Sequence, residues 1–260
     1  MKKFLKLLFH SPLGVFLRNI LGFRPPVFLH PYQNKFLSSD LFIWRTDRNL
    51  ETIFKATDIL DKFYNLDSKL FFIFFDNNGK FLKSAELYFK NGITELLVDK
   101  EFIGKSGYGT FCALNLPLEA PKSSIKVTNR CYVGYGREKA FSMVHGNFDA
   151  VMITNPHTPV SAIIDELRPA ISDRKTSFIY HIQKKASPNS KTSYWFVNPL
   201  KRKISVSVNN KSISIKSHGC GYIEVDDYSE TQPHIIESDF AFARPMLICE
   251  RNGVLDCHHG

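Results

Sequence analysis

Residues 70–98 read LFFIFFDNNGKFLKSAELYFKNGITELLV, and the punctuation of this run decides the fold class. Three apolar stretches, 70–75, 81–89 and 93–98, are separated by Asp76-Asn77-Asn78-Gly79 and by Asn91-Gly92. Tight hairpin turns need positive φ at their central residues, which asparagine and glycine accept, so Asn-Gly between apolar runs is a strong hairpin signal. The stretch predicts a three-stranded antiparallel meander.

A second hairpin stands further along the chain. Ile204, Val206 and Val208 alternate with serines, Asn209-Asn210-Lys211 turns, and Ile213 and Ile215 alternate back. One face is aliphatic and the other serine-rich, the pattern of a strand pair that covers a core on one side only. Further strands are predicted at 41–45, 110–115, 125–134, 140–145, 149–154, 176–183, 193–198 and 221–225, and a closing hairpin at 246–250 and 254–258 around Asn252-Gly253. Helical spacing is carried by Leu50, Ile53, Phe54, Leu60, Phe63 and Tyr64 within 49–64, and a short helix is predicted at 159–167. Strands at intervals of about ten residues, with no βαβ alternation, predict a mainly β protein: an antiparallel sandwich or barrel-like domain with one or two short helices. The domain runs over 27–260, with a dividing point near 155–169, where Pro156, Pro159 and Pro169 cluster. The 23 Phe among 260 residues favour strands and fill a core efficiently.

Charge is unevenly distributed. Residues 1–39 hold six basic and no acidic side chains, and residues 174–216 hold ten basic and none acidic, whereas 217–260 hold eight acidic and two basic. Segregation of this kind argues for an extended anionic partner.

The first basic stretch, 1–26, reads as an amphipathic helical arm. Lys2, Lys3 and Lys6 share one arc of a helix whose remainder is Phe4, Leu5, Leu7, Leu8 and Phe9. Ser11-Pro12 starts a second turn carrying Leu13, Phe16, Leu17, Ile20 and Leu21 at helical spacing, with Arg18 beside them. A membrane span needs about twenty continuous apolar residues, and His10, Ser11, Pro12 and Arg18-Asn19 interrupt the run. A signal peptide is disfavoured because no small-residue cleavage site follows. The arm is therefore expected either to pack on its own domain or to lie in an interface, with Lys2, Lys3, Lys6, Phe9, Phe16 and Arg18 touching an anionic membrane. The expected location is cytoplasmic, peripheral at the inner face of a membrane.

The second basic stretch places its lysines at strand turns; if those turns gather at one end of a sheet they make a cationic rim for headgroups or an acidic glycan. Nucleic acid ranks lower, since no RNP-like, KH-like or zinc-finger pattern is present. Trp44 with Arg45, Arg130 and Arg137 around Tyr132, and Trp195 in the basic stretch are the candidate ligand-binding residues, through stacking and forked hydrogen bonds; structural pairing of the arginines is the competing reading.

Chemistry has fewer candidates. Asp256 and His258 fall on the same face of a strand, and with His145 they would form a two-histidine, one-carboxylate set for a divalent metal. That is the second functional reading, a metal-dependent enzyme; no other cofactor is indicated. The five cysteines form no C-x-x-C pair, which fits buried, reduced thiols. Gly104-Lys105-Ser106 lacks the earlier glycine of a phosphate loop, Asp99 standing in its place. The sequence thus predicts a β protein at a membrane surface that binds an anionic ligand or glycan.

Overall fold

The computed structural model describes residues 13–14, 17, 28–29, 35–119, 125–126, 129–153, 160–166, 177–182, 191–225, 233–240 and 244–259. The protein is mainly β, with antiparallel pairing throughout. Its first strands are β1 (Phe28–Leu29), β2 (Lys35–Ser39), β3 (Phe42–Arg45), β4 (Glu51–Thr57), β5 (Ser68–Asp76), β6 (Phe81–Tyr88), β7 (Ile93–Val98), β8 (Tyr108–Pro117), β9 (Ile125–Lys126), β10 (Asn129–Arg137) and β11 (Ala140–Ile153). Except for the β1–β9 pair, they form one nine-stranded sheet in the order β6-β5-β8-β2-β11-β10-β4-β7, with β3 also on β8. The end strands β6 and β7 are consecutive in the chain and touch beside the Asn91-Gly92 turn. A single bridge, Lys90 to Ile93, links them across that turn.

This topology corrects the meander. β5 and β6 form the expected hairpin, but β7 pairs with β4, Thr52 opposite Val98 through Thr57 opposite Ile93. It also corrects the helix at 49–64. Glu51–Thr57 is a strand with Ile53, Phe54 and Ala56 buried, and only Ile59–Tyr64 is helical. Asp58 separates the two by capping the helix, its carboxylate accepting from the Asp61 N–H at 3.1 Å. The spacing of Leu50, Ile53 and Phe54 matched helix by coincidence, because a strand buried on both faces has no period of its own to contradict it. The strands predicted at 140–145 and 149–154 are one strand, β11, with an irregularity between Phe148 and Ala150.

The interior of the large sheet is filled mainly by phenylalanine. Phe42, Phe54, Phe72, Phe74 and Phe111 lie within 5.1–6.4 Å of one another, centroid to centroid along the contacting pairs, in tilted, edge and stacked geometries. Aromatic pairs of this kind add about 0.5–1.5 kcal/mol each beyond the area they bury. β5 is apolar on both sides. Leu70, Phe72 and Phe74 point inward, while Ile73 and Phe75 pack outward with Cys112, Leu114 and Ile163 of the short helix Val160–Glu166.

The later strands are β12 (Phe178–Ile182), β13 (Lys191–Val197), β14 (Ile204–Val208), β15 (Lys211–Ile215), β16 (Cys220–Val225), β17 (His234–Ser238), β18 (Met246–Arg251) and β19 (Val254–His259). They make two four-stranded sheets, β16-β13-β18-β19 and β12-β17-β14-β15. The first is a middle layer. Tyr194, Phe196, Ile223 and Leu247 pack against the outer sheet's Val206, Val208, Ile215 and Ile236, while Trp195, Cys220, Ile248 and Cys257 join the phenylalanine core. Successive residues on β13 thus serve different cores, the direct result of strand alternation.

Strand directions give the large sheet two distinct ends. Arg45, Asp76, Val98, Tyr108, Arg137 and Ala140 terminate or begin their strands at the end capped by the middle sheet. Thr57, Ser68, Tyr88, Ile93 and Pro117 do so at the opposite, open end. β2 also starts at the open end, since Leu37 pairs with Asn115 near the finish of β8.

Candidate functional site

At the capped end, the side chain of Arg45 lies 4.5 Å over the ring of Trp195 and makes a two-point contact with Asp47, Nε to Oδ1 at 2.9 Å and Nη2 to Oδ2 at 2.6 Å. The other side of Trp195 stacks on Tyr222 at 4.4 Å, and Tyr108 meets it edge-on at 5.1 Å. Trp195 is only 2% exposed and its indole N–H donates to Ser193 Oγ at 2.8 Å. The result is a layered cation–aromatic stack that fastens the large sheet to the middle sheet. Beside it lies a shallow groove of about 90 Å³ lined by Arg45, Arg48, Lys191, Ser193, Tyr222, Glu224 and Glu250, among others.

The groove is partly neutralised. Arg48 stands 3.7 Å from Glu224, and Arg137 pairs with Glu250 at 3.0 Å while donating to the carbonyls of Arg48 and Gly253. Lys191 has no ion-pair partner among the described residues. Of the residues singled out in the sequence, Arg45, Trp195 and Arg137 therefore gather around one groove. Trp44 does not. It is fully buried, its indole donating to the Phe75 carbonyl at 2.8 Å, so a ligand at the surface cannot stack on it. Tyr132 is 49% exposed on the outer wall, opposite Lys55 and His145 in register. Arg130 lies in β10 opposite Asn147, and its side chain lies outside the described set.

The basic residues of 174–216 do not form a single rim. The turn after β13 and the turn after β15 are tied together by Asn198, whose amide donates to the carbonyls of Arg202 and Ile215 at 2.7 and 3.0 Å. That arrangement puts Lys201, Arg202, Lys203 and Lys216 at one end of the paired sheets. Lys191 and Lys211 are at the other, with Lys211 Nζ donating to the Glu224 carbonyl. Arg202 is paired with Asp239 at 3.0 Å. Arg174, Lys175, Lys184 and Lys185 lie outside the described residues, as do Lys2, Lys3, Lys6, Phe9, Phe16 and Arg18 of the arm.

The proposed metal set also divides. On β19, Cys257 points into the phenylalanine core, so Asp256 and His258 share the opposite face and His259 returns to the first. His259 is the residue that meets His145, ring to ring at 4.9 Å and with Nε2 at 2.8 Å from the His145 carbonyl oxygen. His258 and Asp256 are 3.6 Å apart on the other side. Among the described residues, no three histidine, cysteine or acidic side chains are placed to share a metal. Burial pushes the Cys257 thiol up to about 12, which removes it as a nucleophile near neutral pH.

The larger concavity is at the open end, about 650 Å³, and sequence reading missed it. Its lining includes Asp58, Asp61 and Asp67, with Lys62, Tyr88, Phe89, Asn91, Ile93 and Leu118 around them. Asp58 is 3% exposed and accepts from Ser68 Oγ at 2.8 Å. Burial raises its carboxyl above the usual 3.8, only partly offset by hydrogen bonds from the Asp61 backbone and Ser68. Tyr88, Ile93 and Leu118 are 54%, 60% and 51% exposed, an apolar rim around carboxylates. A partial signal was present in the sequence: Asp58 caps the short helix, Asp61 lies in its first turn and Asp67 follows it, but nothing local brings the 88–93 turn or Leu118 beside them.

No protein-family model and no curated protein matches this chain. Among the described residues, no helix is long and apolar enough to cross a membrane.

Proposed function

We propose that the protein is a peripheral binding protein, whose basic N-terminal segment holds the β body against an anionic membrane surface while the capped end offers its groove to an anionic group of a ligand or glycan. The observation that carries this reading is the state of Leu13 and Leu17. Both lie in helical backbone four residues apart and remain 61% and 49% exposed, which supports a role for these two leucines in contact with something other than the described body. Exposed leucines, in a sequence that also holds Lys2, Lys3, Lys6 and Arg18, would supply the two contributions that interfacial attachment needs. Each buried leucine is worth about 1.5–3 kcal/mol and each cation near an anionic leaflet about 1 kcal/mol.

The groove supports the second half. Lys191 and Arg48 offer cationic donors next to Tyr222 and Ser193, and a volume of about 90 Å³ suits a single phosphate, sulfate or carboxylate group more than a whole sugar chain. Flotation of the full chain with phosphatidylserine-containing vesicles tests the reading. The double variant Leu13→Glu, Leu17→Glu is expected to lose most vesicle recovery while keeping the wild-type melting temperature. Undiminished recovery would remove the N-terminal segment from the account.

A further inference from the structure

Three turns of the β body interlock into one cationic surface. We propose that this surface is a second membrane contact, in which lysine ammonium groups meet the phosphate and carboxylate groups of an anionic bilayer while Phe81 enters the interface. The inference rests on the membrane reading for the kind of partner, and on the body alone for the surface.

The turns are 77–80 between β5 and β6, 198–203 between β13 and β14, and 216–219 between β15 and β16. Main-chain bonds join them. The Cys220 N–H donates to the Asn77 carbonyl at 3.1 Å, the His218 N–H to the Asn198 carbonyl at 2.9 Å, and the Asn198 N–H to the Gly219 carbonyl at 2.9 Å. Asn198 also ties Arg202 to Ile215 through its amide. The relative position of the three turns is thus fixed before any partner arrives.

Lys80, Lys201, Lys203 and Lys216 are all exposed, and each turn carries at least one of them. Lys203 and Lys216 flank the last rung of the β14–β15 hairpin, Ile204 opposite Ile215. Lys80, Lys203 and Lys216 have no ion-pair partner among the described residues. Two acids are bonded to these turns, and both are engaged. Asp76 Oδ1 accepts from the Asn78 and Lys80 N–H groups at 2.8 and 2.9 Å, and Asp239 holds Arg202 at 3.0 Å and the Ser205 N–H at 3.1 Å. The surface therefore attracts anions.

Phe81 decides which kind of polyanion fits. It follows Lys80 directly and is 41% exposed. Its register partner is Phe75, the residue on which the His218 ring stacks at 5.0 Å, and cross-strand partners share a face. An uncovered ring thus stands beside the lysines, on a strand whose only sheet neighbour is β5. Lysines with apolar stems around an aromatic ring suit the headgroup boundary. Single-stranded nucleic acid is held instead by successive rings along a basic groove, and here one ring accompanies lysines carried on turns.

The full chain is tested on mixed phosphatidylserine–phosphatidylcholine vesicles. A lysine near an anionic leaflet is worth about fivefold in partitioning, so Lys203→Gln with Lys216→Gln should weaken binding by roughly tenfold or more. The melting temperature should stay unchanged, since both side chains are exposed. The charge-matched pair Lys62→Gln with Lys90→Gln, exposed at the opposite end of the large sheet, should bind as wild type does. Phe81→Trp should add blue-shifted emission with these vesicles and no shift with pure phosphatidylcholine. The native Trp44 and Trp195 are 0% and 2% exposed and contribute no such change. Equal weakening by the two lysine pairs would overturn the proposal, as would vesicle binding without the shift, or polyuridylate bound as tightly as the vesicles. If Leu13→Glu, Leu17→Glu alone abolishes flotation and the Lys203, Lys216 pair floats as wild type, the N-terminal attachment stands and this surface falls; the converse retains this surface and removes the N-terminal attachment. Absence of binding by wild type would remove both.

Discussion

A β-carbon added to Gly79 would stand 1.7 Å from the carbonyl oxygen of Ser217, at a backbone φ of +79°. This is where the turn between β5 and β6 docks on the turn before β16, fixed further by the Cys220 N–H donating to the Asn77 carbonyl at 3.1 Å. Gly79→Ala meets both obstacles, a left-handed backbone and an unyielding main-chain atom. It should cost more than about 2 kcal/mol. Gly104→Ala has the same backbone problem, φ +81°, with no atom within 4 Å, and should cost about 1 kcal/mol. Urea unfolding of both variants checks the difference; equal losses would mean that the docking of the two turns contributes nothing.

Trp195 sits between Arg45 and Tyr222 with Tyr108 at its edge. Trp195→Ala empties that layer and is expected to cost about 3–5 kcal/mol. Because the same indole joins the middle sheet to the large sheet, near-ultraviolet circular dichroism and urea midpoint should fall together. A well-folded variant that melts like wild type would show that the stack is not the fastening.

The thiols are ordered by burial. Cys112 and Cys257 are pushed up to about 12 by desolvation, and burial also raises Cys131 and Cys220; it raises Cys249 too, but this thiol is only half-buried and its hydrogen bond with Thr192 opposes the shift. Iodoacetamide at neutral pH should label Cys249 first in the native protein. The other four should react only at the rate of unfolding. Mass spectrometry of partly labelled protein decides this, and early modification of Cys257 would contradict its place in the core.

Asp58 predicts a particular pH dependence. Its carboxyl is raised by burial, so it holds its proton more tightly in the folded state than in the unfolded chain. That contribution is present at low pH and is lost as pH rises from the ordinary 3.8 through the raised folded value. Asp58→Asn keeps an acceptor for the Asp61 N–H and Ser68 but cannot ionise. Relative to the variant, wild type should therefore lose stability across this window and level off above it. Denaturant series at several pH values measure the difference, and a pH-independent offset would show that Asp58 is not desolvated.

Much of the architecture could be read from the chain because hairpins are local. Asn209 adopts φ 52° between Val208 and Lys211, where the sequence puts its turn, and Ser205 and Ser207 face away from the core as their alternation implies. Pairing between distant strands could not be read: nothing around Val98 announces Thr52 as its neighbour. β17 was missed because His234 and Ser238 occupy buried positions; His234 is accommodated there by a hydrogen bond with the Tyr194 hydroxyl. Arg45 and Trp195 were both recognisable as ligand-type residues, yet their 150-residue separation concealed that they touch and largely satisfy each other. The cavity was hidden for a related reason, since its lining comes from four separate loops and strand ends.

The middle sheet has one more implication, for biosynthesis. Two of its four strands, β18 and β19, are contributed by residues 246–259, and both of its faces are apolar. A nascent chain that has emerged only as far as β16 carries a large sheet without its cap and an outer layer without its support. Each exposes a face built for burial. Completion of both cores must then await the last hairpin, and until it arrives the chain depends on chaperone shelter or on speed.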